Sequence, residues 1–219
     1  MADVQKHVAG SSVAARIADR SLVKRGAAHA SEVRRLLDAA LEVMRRCGTT
    51  SRPRVADIVA AAGLSNDAFY RYFPSKDALV AALLEDGTER LQAYLAHQMA
   101  KEATPVARVR RWVEGVLGQA ADEDVAAATL AVLWNGGSLG EGLTPGRPSP
   151  SAALATLLVA PLAELGSAEP ELDAALLAHA VVGRLSDHLW DRVGPTPAEV
   201  ERVAAFCLAA VAPVRLDES

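Results

Sequence analysis

The feature that most constrains this chain is the two-residue break at Gly63-Leu64. On its amino-terminal side, Val55, Ile58, Val59 and Ala62 form the apolar face of a helix only about two turns long. On its carboxy-terminal side, Ser65 caps a second short helix, predicted over Asn66 to Phe73, that ends at Pro74. Neither segment buries enough surface to be stable alone, so the two must share one small core across the break. Gly63 can take the left-handed backbone such a tight turn needs, and Leu64 and Phe69 add to that core. Two brief helices joined this closely follow the helix-turn-helix plan.

The flanking segments agree with that plan. Upstream, Ser31 can cap a helix whose stripe is Val33, Leu36, Leu37, Ala40, Leu41 and Met44 and which Gly48 ends. Ser51 and Pro53 offer a cap and a first-turn proline for the helix that follows. Downstream, Ser75 caps a long helix predicted to reach about Lys101. Residues 1–30 mix small residues with five basic ones and predict a flexible basic arm, in which Arg16, Arg20, Lys24 and Arg25 either reach DNA or only aid solubility.

Charge is segregated in a way the net value of −4 conceals. Residues 1–76 carry thirteen Lys and Arg against seven Asp and Glu, and the remainder ten against twenty. A basic end suits phosphate, and an acidic end does not. Ala, Leu, Val and Arg dominate while Thr, Ile and Tyr are thinly spread, which predicts an all-α protein. Further helices are expected near 105–121, 124–135, 151–165, 170–193 and 197–214, with one long Gly/Pro/Ser-rich loop at 136–150.

Several function classes are disfavoured. No run of about 18 apolar residues predicts a membrane span, and the polar Met1 to Gly10 stretch lacks the core of a signal peptide, so the expected location is cytoplasmic. Cys47 and Cys207 have no metal or redox spacing and read as core-facing side chains. His179 and His188 stand nine residues apart, which does not place two metal ligands on one helix face. No triad, phosphate loop or carboxylate pair supports catalysis, so no cofactor, metal or catalytic residue is expected.

The segment Val55-Ala-Asp-Ile-Val-Ala-Ala-Ala-Gly-Leu-Ser, followed by Ala68-Phe-Tyr-Arg-Tyr-Phe-Pro-Ser-Lys-Asp-Ala-Leu, resembles the DNA-binding signature of the tetracycline-repressor (TetR) family. The resemblance covers about Glu32 to Leu83. It implies a three-helix helix-turn-helix domain at 31–80 and a helical ligand-binding and dimerisation domain at 81–219. It also implies a homodimer formed by the last two helices, about 170–214, on near-palindromic double-stranded operator DNA, and an effector that lowers operator affinity.

Carried over by position, the resemblance assigns Tyr70, Tyr72 and Lys76 to phosphates and Ser65, Asn66, Asp67 and Arg71 to base edges, with Arg52 and Arg54 flanking the second helix. Arg54 stands where many members have Thr, and Asp67 where a small residue is common, which points to an untypical operator. Asp67 either accepts from a cytosine amino group or serves only as a first-turn acid.

For the effector, Trp112, Trp134 and Trp190 fall on three predicted helices, with Asn135, His97, His179, Asp187 and His188 as polar anchors, against the plainer reading of all of them as core or surface. An apolar lining implies a largely apolar small molecule. The alternatives are a helical DNA-binding or interaction protein without an effector and, less favoured, an enzyme using the helical cavity.

Overall fold

A computed structural model describes residues 13–136 and 149–211, with side chains from Leu22 onward. Its regular elements are helical, in the order α1 Val13–Cys47, α2 Val55–Ala62, α3 Asn66–Tyr72, α4 Lys76–Met99, α5 Pro105–Leu117, α6 Glu123–Asn135, α7 Pro150–Ala155, α8 Val159–Glu164, α9 Pro170–Asp191 and α10 Pro197–Ala210. The all-α expectation holds. No described helix is long and apolar enough to cross a membrane.

Three boundaries differ from expectation, each for an identifiable reason. The first helix begins at Val13 rather than Ser31, because 13–30 is dominated by good helix formers and holds no proline, so the cap at Ser31 is bypassed. Residues 13–30 therefore continue α1 instead of forming a separate arm. Residues 1–12 lie outside the described residues, as do the side chains of Arg16 and Arg20.

The second helix is capped by Arg54 rather than Ser51; Pro53 stays outside the helix, and Asp57 reaches back to accept the Arg54 backbone N–H at 3.1 Å. The expected helix at 151–165 is two helices, α7 and α8. Pro161, which has no N–H to donate, sits in the first turn of α8, where that loss is harmless, so the chain must turn and restart just before it.

Two apolar cores result. One joins α1, α2, α3 and the first half of α4 through Leu36, Met44, Ile58, Phe69 and Leu79, all fully buried, and takes in Ala131 and Val132 of α6. The other gathers α5 with the far half of α4 and helices α7 to α10 around Trp112, Leu117, Leu158 and Leu162. Helix α6 thus contributes to both cores, since Leu130 packs in the second.

Cys207 is buried in that second core, and burial pushes its thiol up to about 11. Cys47 is half-buried, and both cysteines are free.

Candidate nucleic-acid interface and ligand cavity

The turn between α2 and α3 is built as the sequence requires. Gly63 adopts φ 62°, ψ 39°, and the Leu64 N–H returns to the Val59 carbonyl at 2.9 Å. Ser65 then accepts the Ala68 N–H at 3.1 Å through Oγ, and Ser75 does the same for Ala78 at 3.1 Å at the start of α4. Ala68 and Phe69 point into the core, which leaves Asn66, Asp67, Tyr70 and Arg71 together on the exposed face of α3. Tyr70 is 58% exposed, its ring edge-on to Phe69 with centroids 5.2 Å apart.

Ser65 is exposed at the amino-terminal end of that face, Arg52 and Arg54 are exposed at the approach to α2, and Lys76 is half-exposed at the first position of α4. These groups share the chemistry of a duplex-binding surface: hydroxyls and cations for phosphate, with amide, carboxylate and guanidinium groups for base edges.

Tyr72 departs from the expected arrangement. Its hydroxyl donates to Glu32 Oε2 of α1 at 2.7 Å, and its ring meets His29 edge-on at 5.8 Å between centroids. The phenol is held above its ordinary range because the Glu32 carboxylate accepts its proton in that hydrogen bond. It is half-buried against α1 rather than presented outward with Tyr70. Arg71 Nη1 lies 3.6 Å from the same Glu32 oxygen, with its guanidinium 5.9 Å from the Tyr72 ring centroid. Sequence reasoning missed Glu32, because pairing of α1 with the end of α3 joins residues about forty positions apart.

The residues expected to hold a ligand do not gather around one cavity. Trp112 is fully buried and donates from Nε1 to the Leu154 carbonyl at 3.2 Å, so it is a closed core side chain. Trp134 and Trp190 do meet, edge-on at 6.2 Å, but at the surface, 37% and 50% exposed. His97 is exposed at the end of α4. His179 is exposed on α9, within 3.1 Å of Ser151 Oγ and 2.8 Å of the Ala175 carbonyl oxygen. Asn135 is buried and donates to the Ala131 carbonyl at 2.9 Å, with Oδ1 unpartnered.

A cavity of about 430 Å³ lies elsewhere, where the end of α1 meets α6 and the end of α9. Ala126, Ala127 and Leu130 of α6 and Leu189 of α9 give it an apolar wall, while Arg45, His188 and Arg192 give it polar ones. Arg192 caps α9 in the left-handed region at φ 55° and donates to Thr49 Oγ1 at 2.7 Å. Arg45 Nη1 donates to Asp124 Oδ1 of α6 at 3.3 Å. Of these cavity groups only His188 was legible as a polar anchor; the others were not, since the cavity is assembled from helices remote in sequence. No group of three or more His, Cys, Asp or Glu among the described residues could hold a metal ion.

Comparison with known proteins agrees with this geometry. Residues 36–83 match the family described as bacterial regulatory proteins, tetR family. No curated protein matches the chain. Among solved structures, a transcriptional regulator from Mesorhizobium loti assigned to the TetR family aligns with TM-score 0.60 at 16% identity, over 84% of this chain and 96% of that one. A transcriptional regulator from Rhodococcus sp. Rha1 aligns with TM-score 0.59 at 23% identity, over 82% and 95%. FadR from Bacillus subtilis, in complex with stearoyl-CoA, aligns with TM-score 0.54 at 14% identity, over 82% and 97%. At these identities the likeness is one of fold. TetR-family regulators are DNA-binding proteins and not enzymes, and the matched segment contains α2, the Gly63 turn, α3 and the start of α4; the chain carries the DNA-binding domain of the bacterial regulatory tetR family.

Proposed function

We propose that this protein is a ligand-responsive transcription repressor that binds a near-palindromic operator as a homodimer and is released by a small, largely apolar effector. The observation that carries the reading is the exposed face of α3, where Asn66, Asp67, Tyr70 and Arg71 stand free of the core beside Lys76. A division near residue 80, within α4, accords with the two apolar cores.

Dimerisation through α9 and α10 is supported by what those helices leave uncovered. Leu172, Leu176 and Phe206 are 52%, 61% and 60% exposed, alongside small residues such as Ala180, Gly183 and Ala205 that allow close approach. Apolar exposure of this extent on adjacent helices calls for a partner, and an isologous four-helix arrangement covers it. Two reading heads related by a two-fold axis would then meet successive major grooves about 34–36 Å apart.

The cavity between α1, α6 and α9 is the favoured effector site, because its walls belong to both the head and the carboxy-terminal helices. A molecule bound there would bear directly on the end of α1. FadR from Bacillus subtilis, described in complex with stearoyl-CoA, accords with a ligand that carries a long apolar chain on this fold. A ligand acts only through differential affinity: reversing a 1:99 population requires about 5.5 kcal/mol in favour of the state that does not bind DNA.

The test is a binding screen of DNA fragments from around the protein's own gene, with and without apolar metabolites and drugs, repeated with Ala127→Phe, which fills the cavity. Release of DNA by one compound, lost in Ala127→Phe while DNA binding persists, is the expected result. Specific binding that no compound affects would favour a DNA-binding protein without an effector.

A further inference from the structure

We propose that Glu32 is a positioning residue for Arg71: it competes with DNA for the guanidinium and thereby weakens the binding of any duplex that Arg71 contacts. The proposal rests on the DNA-binding reading of α3. Arg71 stands on the exposed face of α3, yet its guanidinium is not unclaimed, since Nη1 lies 3.6 Å from Glu32 Oε2. Any contact Arg71 makes with DNA must replace that ion pair.

A phosphate and a guanine both offer two acceptors in the fork geometry of a guanidinium, which one carboxylate oxygen at 3.6 Å does not match. Either can therefore displace Glu32, and the cost of breaking the pair is the same for both, so the competitor lowers affinity for any duplex that Arg71 contacts. The Glu32 charge itself also faces the approaching phosphates and weakens every complex a little.

The competitor is held in place. Glu32 accepts the Tyr72 hydroxyl at 2.7 Å, so its carboxylate stays at the end of α3 whether or not Arg71 is bound to it. His29, one turn earlier on α1, braces the Tyr72 ring edge-on at 5.8 Å. The run of α1 through residues 13–30 completes the support, because it places His29 and Glu32 inside a continuous helix and away from a frayed end. At Ser31, the start suggested by the capping pattern, Glu32 would occupy the first turn.

Full-length protein carrying Glu32→Gln keeps an amide oxygen to accept from Tyr72 and removes only the charge. Titrated against a random-sequence duplex across a salt series, it should bind about fivefold tighter at low salt, the worth of one exposed ion pair. Its plot of log affinity against log salt should steepen by about 0.9, the signature of one additional phosphate contact. In an Arg71→Ala background, Glu32→Gln should change affinity less than about twofold, because the competitor then has nothing to hold.

Unchanged affinity and slope in the single variant would overturn the proposal, as would an equal gain in the Arg71→Ala background, which would make Glu32 a general repulsive charge. If the wild-type protein binds neither random duplex nor fragments from around its own gene at low salt, the DNA-binding reading itself is at fault.

Discussion

Arg35 of α1 donates from Nη2 to the carbonyl oxygen of Ala62 at 2.5 Å and to that of Gly63 at 3.1 Å. One guanidinium therefore satisfies two of the carbonyls that α2 leaves open at its end, and it does so from the helix against which α2 packs. The turn that sets the angle of α3 is fastened to α1 at this point. Arg35→Ala should destabilise the head by about 1 kcal/mol, the net worth of a partly exposed hydrogen bond to a charged group. Gly63→Ala should cost about 1–2 kcal/mol, because the residue sits at φ 62° and the added Cβ would lie 3.1 Å from Arg35 Nη2. Denaturant unfolding of both variants measures these losses, and an unaffected Gly63→Ala protein would contradict the left-handed turn.

The two tyrosines of α3 should separate in a DNA titration. Tyr70 is free to reach a phosphate, whereas the Tyr72 hydroxyl is committed to Glu32. Tyr70→Phe should weaken DNA binding about tenfold, the order expected for one hydrogen bond to a charged group, with no change in salt slope because the tyrosine is neutral. Tyr72→Phe should weaken it less than about twofold. Fluorescence anisotropy with a labelled duplex decides the matter, and equal losses would mean that Tyr72 leaves Glu32 to bind DNA.

Helices α9 and α10 are clamped by Glu199, which accepts from Arg184 Nη2 at 2.6 Å and lies 3.0 Å from His188 Nε2. The hydrogen bond from Arg184, the larger influence, and then the neighbouring His188 hold the Glu199 carboxyl below its ordinary value against the opposing effect of burial. A folded-state value lower than the unfolded one means that the contribution is fully present above the ordinary carboxylate range and is lost as pH falls through the folded value. Glu199→Gln should therefore lower Tm at neutral pH and bring no loss in acid beyond the folded value. Thermal unfolding of the two proteins across that range tests this, with the curves expected to converge only on the acid side.

Arg192 is the non-glycine residue with positive φ among the described residues, at 55°. Its side chain bonds Thr49, so two substitutions separate backbone strain from the contact. Arg192→Ala and Arg192→Gly both lose the bond to Thr49, but only glycine relieves the left-handed conformation, so the glycine variant should be more stable by about 1 kcal/mol. Equal stability in denaturant unfolding would contradict a strained cap at the end of α9.

The head was legible because its signals are local. Ser65, Gly63 and Ser75 each act within four residues of their own position, and the apolar face of α2 is read directly from spacing. The Arg54 cap was missed because Asp57 outcompetes Ser51 for the opening of α2, a choice that capping preference alone does not make. The carboxy-terminal half was legible as helices but not as a site. Trp112, Trp134 and Trp190 look alike in sequence, yet one closes a core and two meet at the surface, since burial depends on which helices pack together. The same non-local packing made Glu32 and Arg192 silent until α1 was placed beside α3 and the end of α9.

The central claim is that the exposed face of α3 reads DNA, and a titration of the wild-type protein and Tyr70→Ala against fragments from around the protein's own gene tests it most directly. The account predicts that at least one fragment is bound by the wild type well above random duplex and that Tyr70→Ala loses about tenfold or more on it. Specific binding that Tyr70→Ala retains in full, or no specific binding by either protein, would contradict it.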